Sequence, residues 1–254
     1  MEHSMTDQVL VTDDGAIRIV RMNRPEKKNA LTSAMYDAMA GALESAGGTS
    51  PVRCVLIAGV PGTFTAGNDL QDFLKAAMGG EGLGGPVMRF LHALARCERP
   101  LVAAVEGNAV GLGTTMMLHC DYAVAASNAR FQTPFVSLGL VPEAAATLIA
   151  PGLMGHRRAF ELLVMGKALN GEEAKACGLV NAVAAAGQVE AEAMKAARQI
   201  AALPPEAVAA SRRLMRGAPD VIVKRMDEEA DEFKRRLKSP EARQAFEAFL
   251  QRKK

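Results

Sequence analysis

Leu101-Val102-Ala103-Ala104-Val105-Glu106-Gly107-Asn108-Ala109-Val110-Gly111-Leu112-Gly113 reads as an apolar strand, a glycine-bearing turn and the start of a helix. The same order occurs earlier, where Val52-Arg53-Cys54-Val55-Leu56-Ile57-Ala58-Gly59 leads to Phe64-Thr65-Ala66-Gly67-Asn68-Asp69. Both strands are apolar and β-branched enough to lie in a core. Helices are expected to begin at about Asp69 and Gly113. A helix start leaves N–H donors unpaired and carries the positive end of a dipole, while glycine lets the chain turn sharply and approach a ligand closely. Two such turns together can hold one anionic oxygen, and donors fixed in advance are what a developing oxyanion needs.

Working outward, the first two thirds of the chain alternate strands with helices, which predicts an α/β fold. Val9 to Val11 and Ile17 to Met22 form a hairpin across Thr12-Asp13-Asp14-Gly15. A helix over Thr32 to Ala46 follows, capped by the Thr32 hydroxyl, striped by Met35, Met39 and Leu43, and stopped at Gly47-Gly48. Further units are a helix from Val87 to Cys97, a strand from Leu101 to Val105, a helix from Thr114 to His119 and a strand from Tyr122 to Ala125. After about Ala144 the pattern turns almost wholly helical: Arg157 to Val164, Gly171 to Cys177, Val189 to Leu203, Pro205 to Leu214, Val221 to Leu237 and Glu241 to Gln251. These limits divide the chain into a tail (1–8), a core (9–195) and a helical C-terminal region (196–254). The last helices are too short and amphipathic to stand alone, so self-association is expected.

A chain of 254 residues buries a sizeable core without staples. Its 4 cysteines, Cys54, Cys97, Cys120 and Cys177, are far apart, lie in apolar stretches and lack metal-ligand spacing, so they read as reduced core residues and no metal site is expected. That usage fits a cytoplasmic protein. The net charge of +2 is spread over mixed-sign helices with no long basic run, which gives nucleic-acid binding little support. No charged-then-apolar leader and no long apolar run is visible, so neither secretion nor a membrane span is expected.

Phe131-Gln132-Thr133-Pro134-Phe135-Val136-Ser137-Leu138-Gly139-Leu140-Val141-Pro142-Glu143 is an apolar run closing on one carboxylate. Pro142 and Glu143 suit the first two positions of a helix that Ala144-Ala145-Ala146 continues. Glu143 then either complements the helix dipole or serves as a base. Apolar Phe135 and Val136 would raise its pKa and the helix start would lower it. Met78-Gly79-Gly80-Glu81-Gly82-Leu83-Gly84-Gly85-Pro86 reads as a mobile loop, open between a surface insertion and an active-site lid. His92, His119 and His156 read as structural, Asp69 as a helix cap and Asp121 as a backbone partner. A dinucleotide site is not supported, because Gly111-x-Gly113 lacks the third glycine and the acidic residue.

Asn23-Arg24-Pro25-Glu26-Lys27-Lys28-Asn29-Ala30-Leu31, Phe64 to Asp69, Glu106 to Gly113 and Leu138 to Glu143 occur in one order and spacing. In these motifs the chain resembles the crotonase, or enoyl-CoA hydratase/isomerase, superfamily, and most of all the peroxisomal-type delta-3, delta-2-enoyl-CoA isomerases and their bacterial relatives. The resemblance implies a crotonase-like spiral of repeated ββα units with a C-terminal helical trimerisation region, assembled as a homotrimer or a dimer of trimers. It implies a coenzyme A thioester as substrate and no prosthetic group. The two oxyanion donors fall on the backbone N–H groups of Asn68 and Leu112. The two hydratase glutamates fall on Thr115 and Phe135, neither of which is a carboxylate, whereas the isomerase base falls on Glu143. Arg24, Lys27, Lys28 and Ala30 belong to the coenzyme A loop, with Ala66, Gly67, Leu70, Gly111 and Phe135 along the substrate path. Phe249 with Lys253 or Lys254 would complete a neighbouring site. The implied activity is a shift of a double bond from the 3- to the 2-position of an enoyl-CoA. Alternatives are a hydratase-like lyase, a dehalogenase, or a non-catalytic acyl-CoA-binding trimer.

Overall fold

A computed structural model describes residues 7–69 and 84–251, with side chains as far as residue 248. The elements in chain order are β1 (Val9–Asp14), β2 (Ile17–Met22), α1 (Ser33–Glu44), β3 (Cys54–Ala58), α2 (Gly85–Arg96), β4 (Leu101–Val105), β5 (Asn108–Val110), α3 (Leu112–Thr115), β6 (Tyr122–Ala126) and β7 (Arg130–Gln132). They continue with α4 (Ala146–Met154), α5 (His156–Leu163), α6 (Gly171–Ala176), β8 (Ala182–Ala184), α7 (Val189–Ala201), α8 (Pro205–Arg216), α9 (Pro219–Leu237) and α10 (Pro240–Gln251).

The strands β1-β2-β3-β4-β6-β8 form one sheet in that order, and β5 pairs with β7 in a second. Among the described residues β1 and β2 pair antiparallel and the other strand pairs are parallel. Central strands β3 and β4 are buried at every position, which is why they read as unbroken apolar runs rather than alternating ones. The spiral is visible in the pairing. β3, β4 and β6 each enter the large sheet, and the chain then crosses to the small one, where Thr65 bridges Ala109, Ala109 pairs with Phe131, and Phe131 bridges Leu169. The mixed α/β fold is thus the one expected.

Local chemistry explains the ends. Thr32 accepts from Met35 N and caps α1, and Asn170 with Glu173 forms a reciprocal capping box on α6. The hairpin is longer than expected: β1 runs through Asp14, and Gly15 with φ 60° makes the turn. Three strands went unpredicted, because β5, β7 and β8 have three residues each, too few for a periodic signal. The Thr114 to His119 helix divides into α3 and a 3-10 turn over Met116–His119. α4 begins at Ala146, later than the start expected at Pro142, and runs on through Pro151 to Met154. α7 packs on β3, β4 and β6, and α9 on α2. The glycine-rich loop and the helix expected from Asp69 lie largely outside the described residues, except that Gly85 and Pro86 open α2.

Gly59, after β3, turns the chain toward the site in a space no side chain fits: a Cβ there would lie 2.0 Å from Thr63 O and 2.9 Å from Phe64 Cα. Gly152, by contrast, is exposed inside α4 with nothing within 4 Å of such a Cβ. Urea unfolding should show Gly59→Ala destabilised by at least ~2 kcal/mol. Gly152→Ala should be unchanged or up to ~1 kcal/mol more stable.

Candidate active site

Asn29 organises the first turn. It is fully buried, and both it and Lys28 adopt left-handed backbone conformations (φ 53° and 52°). Its Oδ1 accepts from Arg24 N at 2.7 Å, while Nδ2 donates to Thr63 O at 3.1 Å and Phe64 O at 2.9 Å. Thr65 Oγ1 donates to Asn29 O at 2.6 Å and accepts from Gly67 N at 3.1 Å. Leu31 N donates to Gly67 O and Asp69 N to Leu31 O, each at 2.8 Å. The groups on either side of Asn68 are therefore satisfied, and its own N–H has no partner among the described residues.

The second turn lies directly against the first. Thr65 N donates to Asn108 O at 2.8 Å and Val110 N to Thr65 O at 3.1 Å. A Cβ on Gly67 would come 2.9 Å from Val110 O, and one on Gly113 would come 2.5 Å from Thr65 Cγ2, so both glycines are required by close approach. Gly111, with φ 57°, caps α3, and Thr114 N and Thr115 N both donate to its carbonyl at 2.9 and 3.0 Å. Leu112 N–H leads the helix and has no partner among the described residues. The Phe135 ring lies 4.0 Å from where a Gly111 Cβ would stand and is itself buried.

Glu143 is 1% exposed. Its Oε1 accepts from Thr115 Oγ1 at 3.0 Å, one turn below the Leu112 donor, and its Oε2 is buried with no hydrogen-bond partner. The expected helix over Pro142 to Ala146 does not form. Ala144 and Ala145 are left-handed (φ 63° and 54°) and α4 begins only at Ala146. Glu143 thus lies outside the first turn of α4. Burial raises its pKa to about 8, against the Thr115 hydrogen bond that lowers it and with the nearby charge of Glu229 adding to the rise.

Other expected residues divide. Lys27 and Lys28 are exposed at the loop, with Ala30 and Ala66 half-buried beside them. Arg24 is turned inward: its Nη1 donates to Ala30 O at 2.9 Å and to Asp69 Oδ2 at 2.7 Å. These bonds brace the loop and pair Arg24 with Asp69. Asp121 accepts from Leu101 N at 2.8 Å as expected, and also from Arg212. His92 pairs with Asp227 at 2.9 Å. Leu70, the Phe249 side chain, Lys253 and Lys254 lie outside the described residues. Sequence reasoning missed Tyr36, which is buried on α1, donates its hydroxyl to Asn68 Oδ1 and lies within the field of Glu143. A phenol on the apolar stripe of Met35 and Met39 was the available signal.

Two unpaired N–H groups on adjoining turns, with a desolvated carboxylate beside them, is an arrangement that can stabilise an enolate oxygen and move a proton. The sequence pattern of "Enoyl-CoA hydratase/isomerase" matches residues 12–254. The chain belongs to the enoyl-CoA hydratase/isomerase family. It is 35% identical to enoyl-CoA delta isomerase 2 of Rattus norvegicus over 250 residues, covering 96% of this chain and 64% of that protein, so it spans under two thirds of that relative's length. It is 31% identical to a short-chain-enoyl-CoA hydratase of Clostridium acetobutylicum over 255 residues, 98% of this chain and 96% of the relative. The solved structure of Pseudomonas aeruginosa OdaA matches with a TM-score of 0.91 at 44% identity, covering 96% of this chain and 99% of that one. Family relatives also include dehalogenases. Among the described residues no helix is long and apolar enough to cross a membrane.

The raised Glu143 pKa has a sign that stability measurements can read. The folded protein holds this proton up to about pH 8 while the unfolded chain releases it near 4.5. Between those values the folded state binds more protons, so its stability falls as pH rises. Glu143→Gln removes that loss. Urea unfolding should show the variant gaining little over the parent below about pH 4.5 and on the order of a few kcal/mol above about pH 8. An advantage independent of pH would mean that the carboxyl titrates normally.

Proposed function

We propose that this chain isomerises enoyl-CoA thioesters, moving a carbon–carbon double bond from the 3- to the 2-position by a proton shuttle on Glu143. The thioester carbonyl oxygen accepts from the N–H groups of Asn68 and Leu112. The ionised Glu143 carboxylate removes a proton from the α-carbon, and the C–H electron pair passes into a dienolate whose oxygen charge the two donors stabilise. Glu143 returns the same proton to the γ-carbon, so atoms and charge balance without water or a redox partner. Phe135 keeps that side dry. Lys27 and Lys28 are the exposed charges for the coenzyme A phosphates.

The observation that carries this reading is a single available carboxylate. Among the described residues the buried carboxylates are Glu143 and Glu229. Glu229 is occupied by Ala145 and Thr147. By resemblance to the family's hydratases, hydration needs two acids, at positions that Thr115 and Phe135 occupy in this sequence. Thr115 instead donates to Glu143. The isomerase name among the relatives points the same way. We extend the proposal to a homotrimer or dimer of trimers, because Leu214, Met215 and Val221 expose 82%, 87% and 60% of their surfaces on α8 and α9.

With 3-hexenoyl-CoA as substrate, Glu143→Gln should lower kcat by about 10²- to 10⁴-fold. In the parent, kcat/KM should rise with pH through a single acid limb near pH 8, because the base must be ionised in the free enzyme. Conversion at the parental rate by the variant, or 3-hydroxyacyl-CoA as the main product from 2-enoyl-CoA, would remove the isomerase assignment.

A further inference from the structure

The Ala144–Ala145 peptide unit, the second after Glu143, is gripped at both ends by side chains from distant parts of the chain. His119 Nε2 donates to Ala144 O at 2.7 Å, and Ala145 N donates to Glu229 Oε2 at 2.7 Å. The carbonyl of Ala144 and the N–H of Ala145 belong to one peptide plane, so its rotation is opposed from both sides. The other Glu229 oxygen accepts from Thr147 N at 3.0 Å and Thr147 Oγ1 at 2.5 Å, binding the first turn of α4 to the same carboxylate. Arg225 Nη1 also reaches Thr147 Oγ1, at 3.2 Å.

Two consecutive alanines in the left-handed region are strained, since each Cβ crowds its own backbone, and such a turn persists only where its surroundings hold it. His119 is fully buried and, with its pKa lowered to about 4 chiefly by burial, stays neutral above that pH. With Nε2–H directed at Ala144 O, its Nδ1 accepts nothing among the described residues. Glu229 is buried on α9, in the C-terminal helical region. One of its oxygens serves Ala145 N–H and the other the N–H and O–H of Thr147. An amide at that position has one acceptor and would set its own N–H₂ against the donors on the other side.

We propose that Glu229, with His119, is a positioning residue for Glu143: the pair pins the Ala144–Ala145 peptide plane and so aims the Glu143 carboxyl at the space beside the two glycine turns. This rests on the reading of Glu143 as the base. The C-terminal helical region then supplies a part of the active site that touches no substrate.

The groups facing Glu143 are the Thr115 hydroxyl from α3, the Tyr36 phenol from α1, which burial holds neutral, and Glu229 from α9, which has Arg225 beside it. Replacing Glu229 by Gln removes the negative neighbour, so Glu143 should titrate at lower pH. Difference infrared spectroscopy of the ligand-free protein reads that titration, with the band assigned by its loss in Glu143→Gln. Glu229→Gln should shift the band to lower pH and lower kcat by about 10²-fold while KM stays within about threefold. Combined with Glu143→Gln it should cost nothing further, because both act through one carboxyl. Glu229→Asp keeps the charge but cannot span both donor sets, so kcat should fall with the titration unmoved; it also serves if the glutamine variant does not fold. Parental kcat in either variant, or fully additive losses in the double variant, would overturn the positioning role. If Glu143→Gln isomerises normally while the titration still moves in Glu229→Gln, the function assigned above fails and the clamp on Glu143 stands.

Discussion

A carboxyl group with one oxygen on a threonine hydroxyl and the other without a partner is the constraint around which this site is built. Taking Glu143 out of water disfavours its charged form, and no arginine or lysine among the described residues contributes to restoring it. Such a group is tolerable as a neutral acid at rest and becomes reactive once it ionises. The fold keeps it in place by a left-handed turn, a helix that starts four residues later than the residue pattern suggests, and side-chain contacts from His119 and from Glu229 on α9.

The second requirement is nearness of the two glycine turns. Thr65 lies between them, bonded by its side chain to Asn29 and Gly67 and by its backbone to Asn108 and Val110. Larger residues at Gly67 or Gly113 would press into Val110 O or Thr65 Cγ2, so the spacing of the two donors depends on atoms that are absent rather than present. Asn29 anchors the same frame to the loop bearing Lys27 and Lys28, and Arg24 closes it with an ion pair to Asp69 whose two side chains are each 14% exposed. The charged loop and the two glycine turns thus form one unit. Relatives of the chain are named both for isomerisation and for hydration, and one scaffold can host several chemistries.

Long periodic segments were legible. The α1 stripe, the apolar β3 and β4 runs and the amphipathic C-terminal helices carry their own signals, and each appears where the residue pattern puts it. Short strands β5, β7 and β8 exist only because a neighbour pairs with them, so nothing within three residues could announce them. Tyr36 looked like core for a similar reason: its hydroxyl has meaning only once Asn68 is beside it.

The residues alone determined the order of strand, glycine turn and helix, the two candidate donors and the carboxylate at position 143, because these follow from local spacing and side-chain type. Tertiary structure decided the ionisation of that carboxylate, since burial and the distance to Thr115 and Glu229 are properties of packing. It also decided that Arg24 faces Asp69 rather than solvent, and that Ala144 and Ala145 turn left-handed instead of continuing a helix. Alanine favours a helix by its own propensity, and contacts from residues 25 and 84 positions away reversed that preference.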